Sequence, residues 1–141
     1  MAAGPTVKKI MKIYEGKARL VVKNYPYRYR DYARIAAEAS LAARDQGKYW
    51  EMHDLLIKRS PRLDRASLID YARELGLDVK KFTESIDSQK HAKDIDRDLD
   101  LAVTLDLYTT PTFYMNGRKV VGERPLEYYR KIIEEELKAS R

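Results

Sequence analysis

Apolar positions recur at helical spacing through most of this chain. Val7, Ile10, Met11 and Tyr14 follow at i, i+3, i+4 and i+7, which puts them on one face of a short helix. Thr6 can cap its start and Gly16 its end. From Ala18 to Lys23 the pattern changes to a β-branched run of strand length, ended by Pro26, because proline cannot donate to a ladder. A long helix is predicted from about Tyr29 to Gln46, with Tyr32, Ile35, Ala36, Ala39 and Ala43 on one face and Gly47 breaking it. Its alanines predict close packing against a neighbour. Tyr49, Met52, His53 and Leu56 mark a second short helix, with Trp50 close by, and Ser60-Pro61 punctuates.

Asp64 can cap a helix carrying Leu68, Tyr71, Ala72 and Leu75, stopped by Gly76. Asp78 can cap the next, carrying Val79, Phe82 and Ile86. A charged helix follows with Ala92, Ile95, Leu99, Ala102 and Val103 as its stripe, ending near Leu107. Thr112 to Met115 reads as a strand, Asn116-Gly117 as a two-residue hairpin turn in which both positions tolerate φ > 0, and Arg118 to Val121 as the returning strand. Pro125 suits the first turn of a last helix whose inner face is Leu126, Tyr129, Ile133 and Leu137. The predicted order is α, β, several helices, β-hairpin, α. There is no internal repeat, low-complexity stretch or linker.

Composition narrows the function more than the fold. At 141 residues with 44% hydrophobic and 35% charged content, residues 1–141 are expected to form one helix-rich domain. The chain contains no cysteine, which excludes disulfides, cysteine-ligated zinc and cysteine nucleophiles within it. The first six residues show no apolar run of signal-peptide type, and no segment approaches the roughly 20 apolar residues that span a bilayer. The chain as written is therefore expected to be soluble and cytoplasmic, with no membrane partner. Its net charge of +6 is spread among acids and bases along the helices, a solvated surface rather than a nucleic-acid footprint.

Three groups of side chains invite a chemical reading. His53 sits on the apolar face of Tyr49, Met52 and Leu56 and is read as a hydrogen-bonded, partly buried histidine, not a catalytic one. His91, Asp94 and Asp98 share a helical face that could bind a metal, but Lys90, Lys93 and Arg97 are positioned to pair those acids, so no metal site is assigned. In residues 25–32 four tyrosines interleave with Arg28 and Arg30. They form either a packed tyrosine rim, a protein-contact surface or a stacking platform for bases, in that order of preference. Phosphate loops, metalloprotease helices and nucleophile elbows are missing from the sequence.

A family resemblance covers nearly the whole chain. Tyr14 to Val21 resembles the helix-to-strand passage of the DsbA family of thioredoxin-fold thiol oxidoreductases. Ala36 to Trp50, then Met52-His53-Asp54-Leu55-Leu56, resembles the start of its helical insertion, and Leu75-Gly76-Leu77-Asp78 with Phe82 its next turn. Thr110-Pro111-Thr112-Phe113 and Asn116-Gly117 resemble its cis-proline loop and hairpin. The resemblance implies an α/β thioredoxin-like fold with residues 28–106 approximately as the helical insertion and connecting helices, and with the N-terminal strand missing.

That resemblance also implies a function and a contradiction. Family members oxidise or isomerise protein dithiols through a Cys-x-x-Cys pair at the start of the first helix, and the pair is its own redox centre, so no cofactor is implied. Val7 to Tyr14 resembles the remainder of that helix, which puts the motif at or just ahead of Met1. The chain therefore carries no catalytic residue of its own. Either Met1 is an internal methionine of a longer protein, which would leave room for an exported, periplasmic parent, or this is a redox-inactive relative that binds peptides or self-associates. From spacing alone Pro111 is an ordinary loop proline. The resemblance implies a cis Thr110–Pro111 bond, with Thr110 and Pro111 as substrate-binding residues facing an extended or unfolded protein. It also implies that the strand at Ala18–Val22 and the one at Thr112–Met115 have lost a neighbour, so they are expected to pair directly or to drive homodimerisation.

Overall fold

The computed structural model describes residues 3–141. The position expected for the cysteine motif, at or ahead of Met1, lies outside the described residues. The described residues divide into two compact units: residues 3–22 with 105–141, and residues 23–104.

The first unit holds α1 (Ala3–Ile13), β1 (Thr112–Met115), β2 (Arg118–Val121) and α7 (Leu126–Ala139). Helix α1 starts earlier than Thr6 predicts, and Thr6 lies inside it. Pro5 is tolerated there because the first turn has no intrahelical use for its N–H. Gly16, at φ +72°, ends the following turn as expected. Strands β1 and β2 have the predicted bounds and pair antiparallel, Thr112 with Val121 and Met115 with Arg118, around Asn116 and Gly117 at φ 49° and 88°. Pro125 precedes α7 rather than joining its first turn. Ile10, Tyr14, Val120, Tyr129 and Ile132 are buried together, with Phe113 and Met115 packed on them from β1.

One predicted element is corrected. Ala18 to Lys23 forms no strand: among the described residues the only sheet is β1 with β2. Burial still alternates from Ala18 to Val22, half-buried then exposed, with Val21 60% exposed. The side chains keep a strand's period, but a strand also needs a ladder, and no described segment pairs with this one. The expected direct pairing with Thr112–Met115 does not occur.

The second unit is all helical: α2 (Ala33–Arg44), α3 (Tyr49–Arg59), α4 (Arg65–Glu74), α5 (Val79–Asp87) and α6 (Ala92–Thr104). Helix α2 begins four residues after the predicted Tyr29, because Tyr32 takes a left-handed conformation at φ 65° and the chain enters the helix only beyond it. The alanine-rich face does pack closely: Ala39, Ala42 and Ala43 are buried with Met52, Leu68, Ala72 and Phe82. Asp64 and Asp78 cap α4 and α5 as expected, accepting hydrogen bonds from the N–H of Ser67 at 3.2 Å and of Lys81 at 3.0 Å. Helix α6 ends at Thr104, three residues before Leu107.

Candidate functional site

Residues 105–112 lead into β1 within the first unit. Asp106 adopts φ 53°, which turns the chain. The Thr112 hydroxyl donates to the carbonyl of Thr109 at 2.7 Å, closing the turn on itself. The N–H of Gly122 donates to the Pro111 carbonyl at 2.8 Å, extending the β1–β2 ladder by one pair beyond the strands. The Thr110–Pro111 peptide bond is cis; so is Ser60–Pro61, which the sequence reading treated only as a break. Thr110 and Pro111 are half-buried, while Tyr108 beside them is 66% exposed. Asp106 also holds Lys119, whose ammonium donates to its carbonyl at 3.1 Å.

Below this loop the packing is firm. Phe113 meets the Tyr129 ring edge-on at 5.3 Å. The Tyr129 hydroxyl accepts from the N–H of Arg124 at 3.0 Å and donates to the Gly122 carbonyl at 3.3 Å, tying α7 to the end of the hairpin. The Tyr14 hydroxyl donates to Glu134 at 2.8 Å; burial first, and that carboxylate second, hold the phenol above its ordinary pKa. The loop thus rests on a rigid hairpin and helix, as a binding site requires.

Strand β1 has β2 on one side and, among the described residues, no strand on the other. The ladder bonds made by Pro111, Phe113 and Met115 point toward β2, so the backbone groups of Thr112 and Tyr114 point to the opposite edge.

The other sequence candidates fall in the second unit. His53 is half-buried between the rings of Tyr49 at 5.9 Å and Trp50 at 5.6 Å. Its Nδ1 has no hydrogen-bond partner among the described residues and lies 3.6 Å from Asp54 Oδ1. His91 Nδ1 lies 3.5 Å from Asp94 Oδ2, but Asp98 does not join them. Asp98 accepts from the Asn24 N–H at 2.8 Å and pairs with Lys23, Asp94 pairs with Arg44, and His91 Nε2 lies 2.8 Å from Asp45. Among the described residues no group of acids and histidines is arranged to hold a metal. In residues 25–32 the Tyr27 and Tyr29 rings stack at 5.1 Å, Tyr25 meets Tyr27 edge-on, and Tyr29 is 76% exposed. Sequence reasoning missed Glu38, which is buried in α2 and accepts from the N–H of His91 at 3.1 Å. The two residues lie 53 positions apart, so no local signal announces the contact.

The family model described as Thioredoxin matches residues 2–135, and the chain belongs to that family. Its fold is that of DsbA-like thiol–disulfide oxidoreductases. It is similar to a thioredoxin-like oxidoreductase from Silicibacter pomeroyi DSS-3, with a TM-score of 0.86 and 26% identity over 97% of this chain and 78% of that one. BdbD from Bacillus subtilis is similar with a TM-score of 0.82 and 25% identity over 93% of this chain and 76% of that one. Among curated proteins, a Na(+)/H(+) antiporter NhaA 3 of Salinispora tropica is 38% identical over 126 residues, covering 89% of this chain and 19% of that protein. A Na(+)/H(+) antiporter NhaA of Herminiimonas arsenicoxydans is 41% identical over 104 residues, covering 74% and 16%. The chain spans less than a fifth of the length of these relatives. No helix among the described residues is long and apolar enough to cross a membrane.

Proposed function

We propose that this chain is the substrate-presenting part of a DsbA-like thiol–disulfide oxidoreductase, with Thr110 and Pro111 meeting an extended protein chain. The observation that carries this reading is the 26% identity and 0.86 TM-score to a thioredoxin-like oxidoreductase across 97% of the chain. The loop at residues 108–112 supports it: an exposed Tyr108 beside Thr110 and Pro111, leading into a strand with a free edge, suits sequence-tolerant main-chain pairing with a peptide. Residues 1–141 contain no thiol, so any thiol exchange draws its cysteines from outside them. Antiporter-named relatives carry a similar stretch within much longer chains, in keeping with a module that works joined to other segments. Oxidation of protein thiols belongs in an oxidising compartment, so this reading favours an exported location over the cytoplasmic one expected of the bare sequence.

The test is a titration of the chain with an unfolded, reduced polypeptide. Saturable binding that Thr110→Arg weakens and the distant Lys80→Ala leaves unchanged supports the reading. Binding indifferent to Thr110→Arg contradicts it. The 141-residue chain by itself is expected to show no disulfide reductase or oxidase activity.

The free edge of β1 favours a second reading, in which a second copy pairs along that edge and the protein is a homodimer. The two readings compete for the same backbone groups of Thr112 and Tyr114.

A further inference from the structure

The segment entering α2 borders a cavity of about 540 Å³ in the helical unit of residues 23–104, and the thiol reading gives it no role. Its walls are largely apolar: Tyr27 and Tyr32 from the entering segment, Ile35 from α2 and Leu99 from α6. The carboxylates around it are already engaged. Asp96 is held by Arg34 at 2.8 Å, and Glu38 is 1% exposed with one oxygen on the His91 N–H. Arg28 and Arg30 are exposed parts of the lining, and neither enters an ion pair among the described residues. Asp31, next to them in sequence, does not line the cavity. Stacking on Tyr29 at 5.1 Å holds the Tyr27 ring. Tyr32 is half-exposed and left-handed at φ 65°. That backbone is costly for a bulky side chain, and such strain collects at binding sites, where it aims a side chain.

We propose that this surface docks an acidic protein segment through one apolar anchor side chain. The anchor sits against Tyr27, Tyr32 and the aliphatic wall, and carboxylates on either side of it meet Arg28 and Arg30. Tyrosine and arginine are the side chains in which interface energy concentrates, commonly around an anchor that fills a pocket. The planar donor fork of arginine matches a carboxylate with two parallel hydrogen bonds. A nucleic-acid strand fits less well, because its phosphates need a track of cations and this lining offers two unpaired arginines. Charge complementarity therefore selects the partner's acids, and the apolar walls select its anchor. Nothing here depends on the loop at Thr110–Pro111.

Isothermal titration of the 141-residue chain with acetylated, amidated pentapeptides tests it. The peptide Glu-Asp-Phe-Asp-Glu is expected to bind saturably, and less tightly as salt is raised. Exchanging its phenylalanine for alanine, or its four acids for their amides, should weaken it by at least about tenfold. That is the loss expected when one aromatic side chain goes unburied or one hydrogen bond to a charged group goes unmade. Arg28→Glu with Arg30→Glu, both on the surface, should weaken the acidic peptide and leave the amide peptide unchanged. Tyr32→Gly suits the left-handed backbone and removes the ring, so it should weaken the acidic peptide while the fold is kept. Should that variant lose its helical circular dichroism, the arginine variant and the peptide series decide alone. Four results overturn the proposal: no saturable binding of the acidic peptide, equal affinity for the acidic and amide peptides, binding unchanged by the arginine variant, or displacement of the peptide by an equal concentration of single-stranded oligothymidylate.

Discussion

His91 Nε2 lies 2.8 Å from Asp45 Oδ2, joining the threshold of α6 to the end of α2. Lys90 reaches the same oxygen at 2.8 Å, and His91 Nδ1 lies 3.5 Å from Asp94 Oδ2, which Arg44 also approaches at 3.4 Å. Burial, the largest single influence on Asp45, works to raise its pKa, but the hydrogen bonds from Lys90 and His91 together hold it below the ordinary range. Asp94 is lowered chiefly by Arg44. Groups whose pKa is depressed by folding stabilise the fold above their unfolded value and lose that contribution as pH falls through the folded one. The melting temperature should therefore fall below about pH 4, where aspartates begin to protonate. Asp45→Asn should flatten that acid limb; circular dichroism melts from neutral to acid pH check it, and an unchanged acid limb in the variant counts against the cluster.

Tyr129 tests the support under the loop. Its hydroxyl serves both the Arg124 N–H and the Gly122 carbonyl, while its ring packs on Phe113. Tyr129→Phe leaves those two backbone groups unserved and should cost about 1–3 kcal/mol. Tyr129→Ala should cost about 3–5 kcal/mol, because a cavity is added to the lost contacts. Urea unfolding of the two variants measures both values. A Phe variant as stable as the parent shows that the hydroxyl does not tie α7 to the hairpin.

Gly117 tests the hairpin. Its φ of 88° lies in the left-handed half of the map, yet a Cβ there would meet nothing within 4 Å. Gly117→Ala therefore carries backbone strain without a clash, a loss of about 1–2 kcal/mol. Denaturant melts should show that loss. A neutral result means the turn relaxes freely.

The legible parts of the sequence were the local ones. Asn116-Gly117 determines its own turn, so both strands of the hairpin fall at the predicted residues. The Asp64 and Asp78 caps act within three residues of themselves, and they too are as read. Pairing across the chain was less legible. Ala18 to Lys23 has the composition of a strand, but a ladder depends on a neighbour that no local pattern reveals. Tyr29 to Tyr32 has helical spacing, yet the left-handed Tyr32 holds the segment out of α2. The bonds among Glu38, Asp45 and His91 span 46 to 53 residues, and the face shared by His91, Asp94 and Asp98 pointed elsewhere. At the loop, the cis Thr110–Pro111 bond was implied by the family resemblance; spacing alone left Pro111 an ordinary loop proline.

Self-association turns on the edge of β1. The Tyr114 N–H points away from β2, so Tyr114→Pro removes a donor from the free edge without removing a β1–β2 bond. On the second reading, in which copies pair along this edge, light scattering on a concentration series shows a dimer in the parent chain and a monomer in the variant. A parent chain that stays monomeric at the highest concentration excludes edge pairing between copies.

The most direct test of the central claim is backbone amide chemical-shift mapping of the chain with an unfolded, reduced polypeptide. The account predicts that the largest shifts fall on residues 108–114, around Thr110 and along the outer edge of β1, and that they vanish in Thr110→Arg. Shifts confined to residues 23–104, or none at all with excess polypeptide, would contradict it.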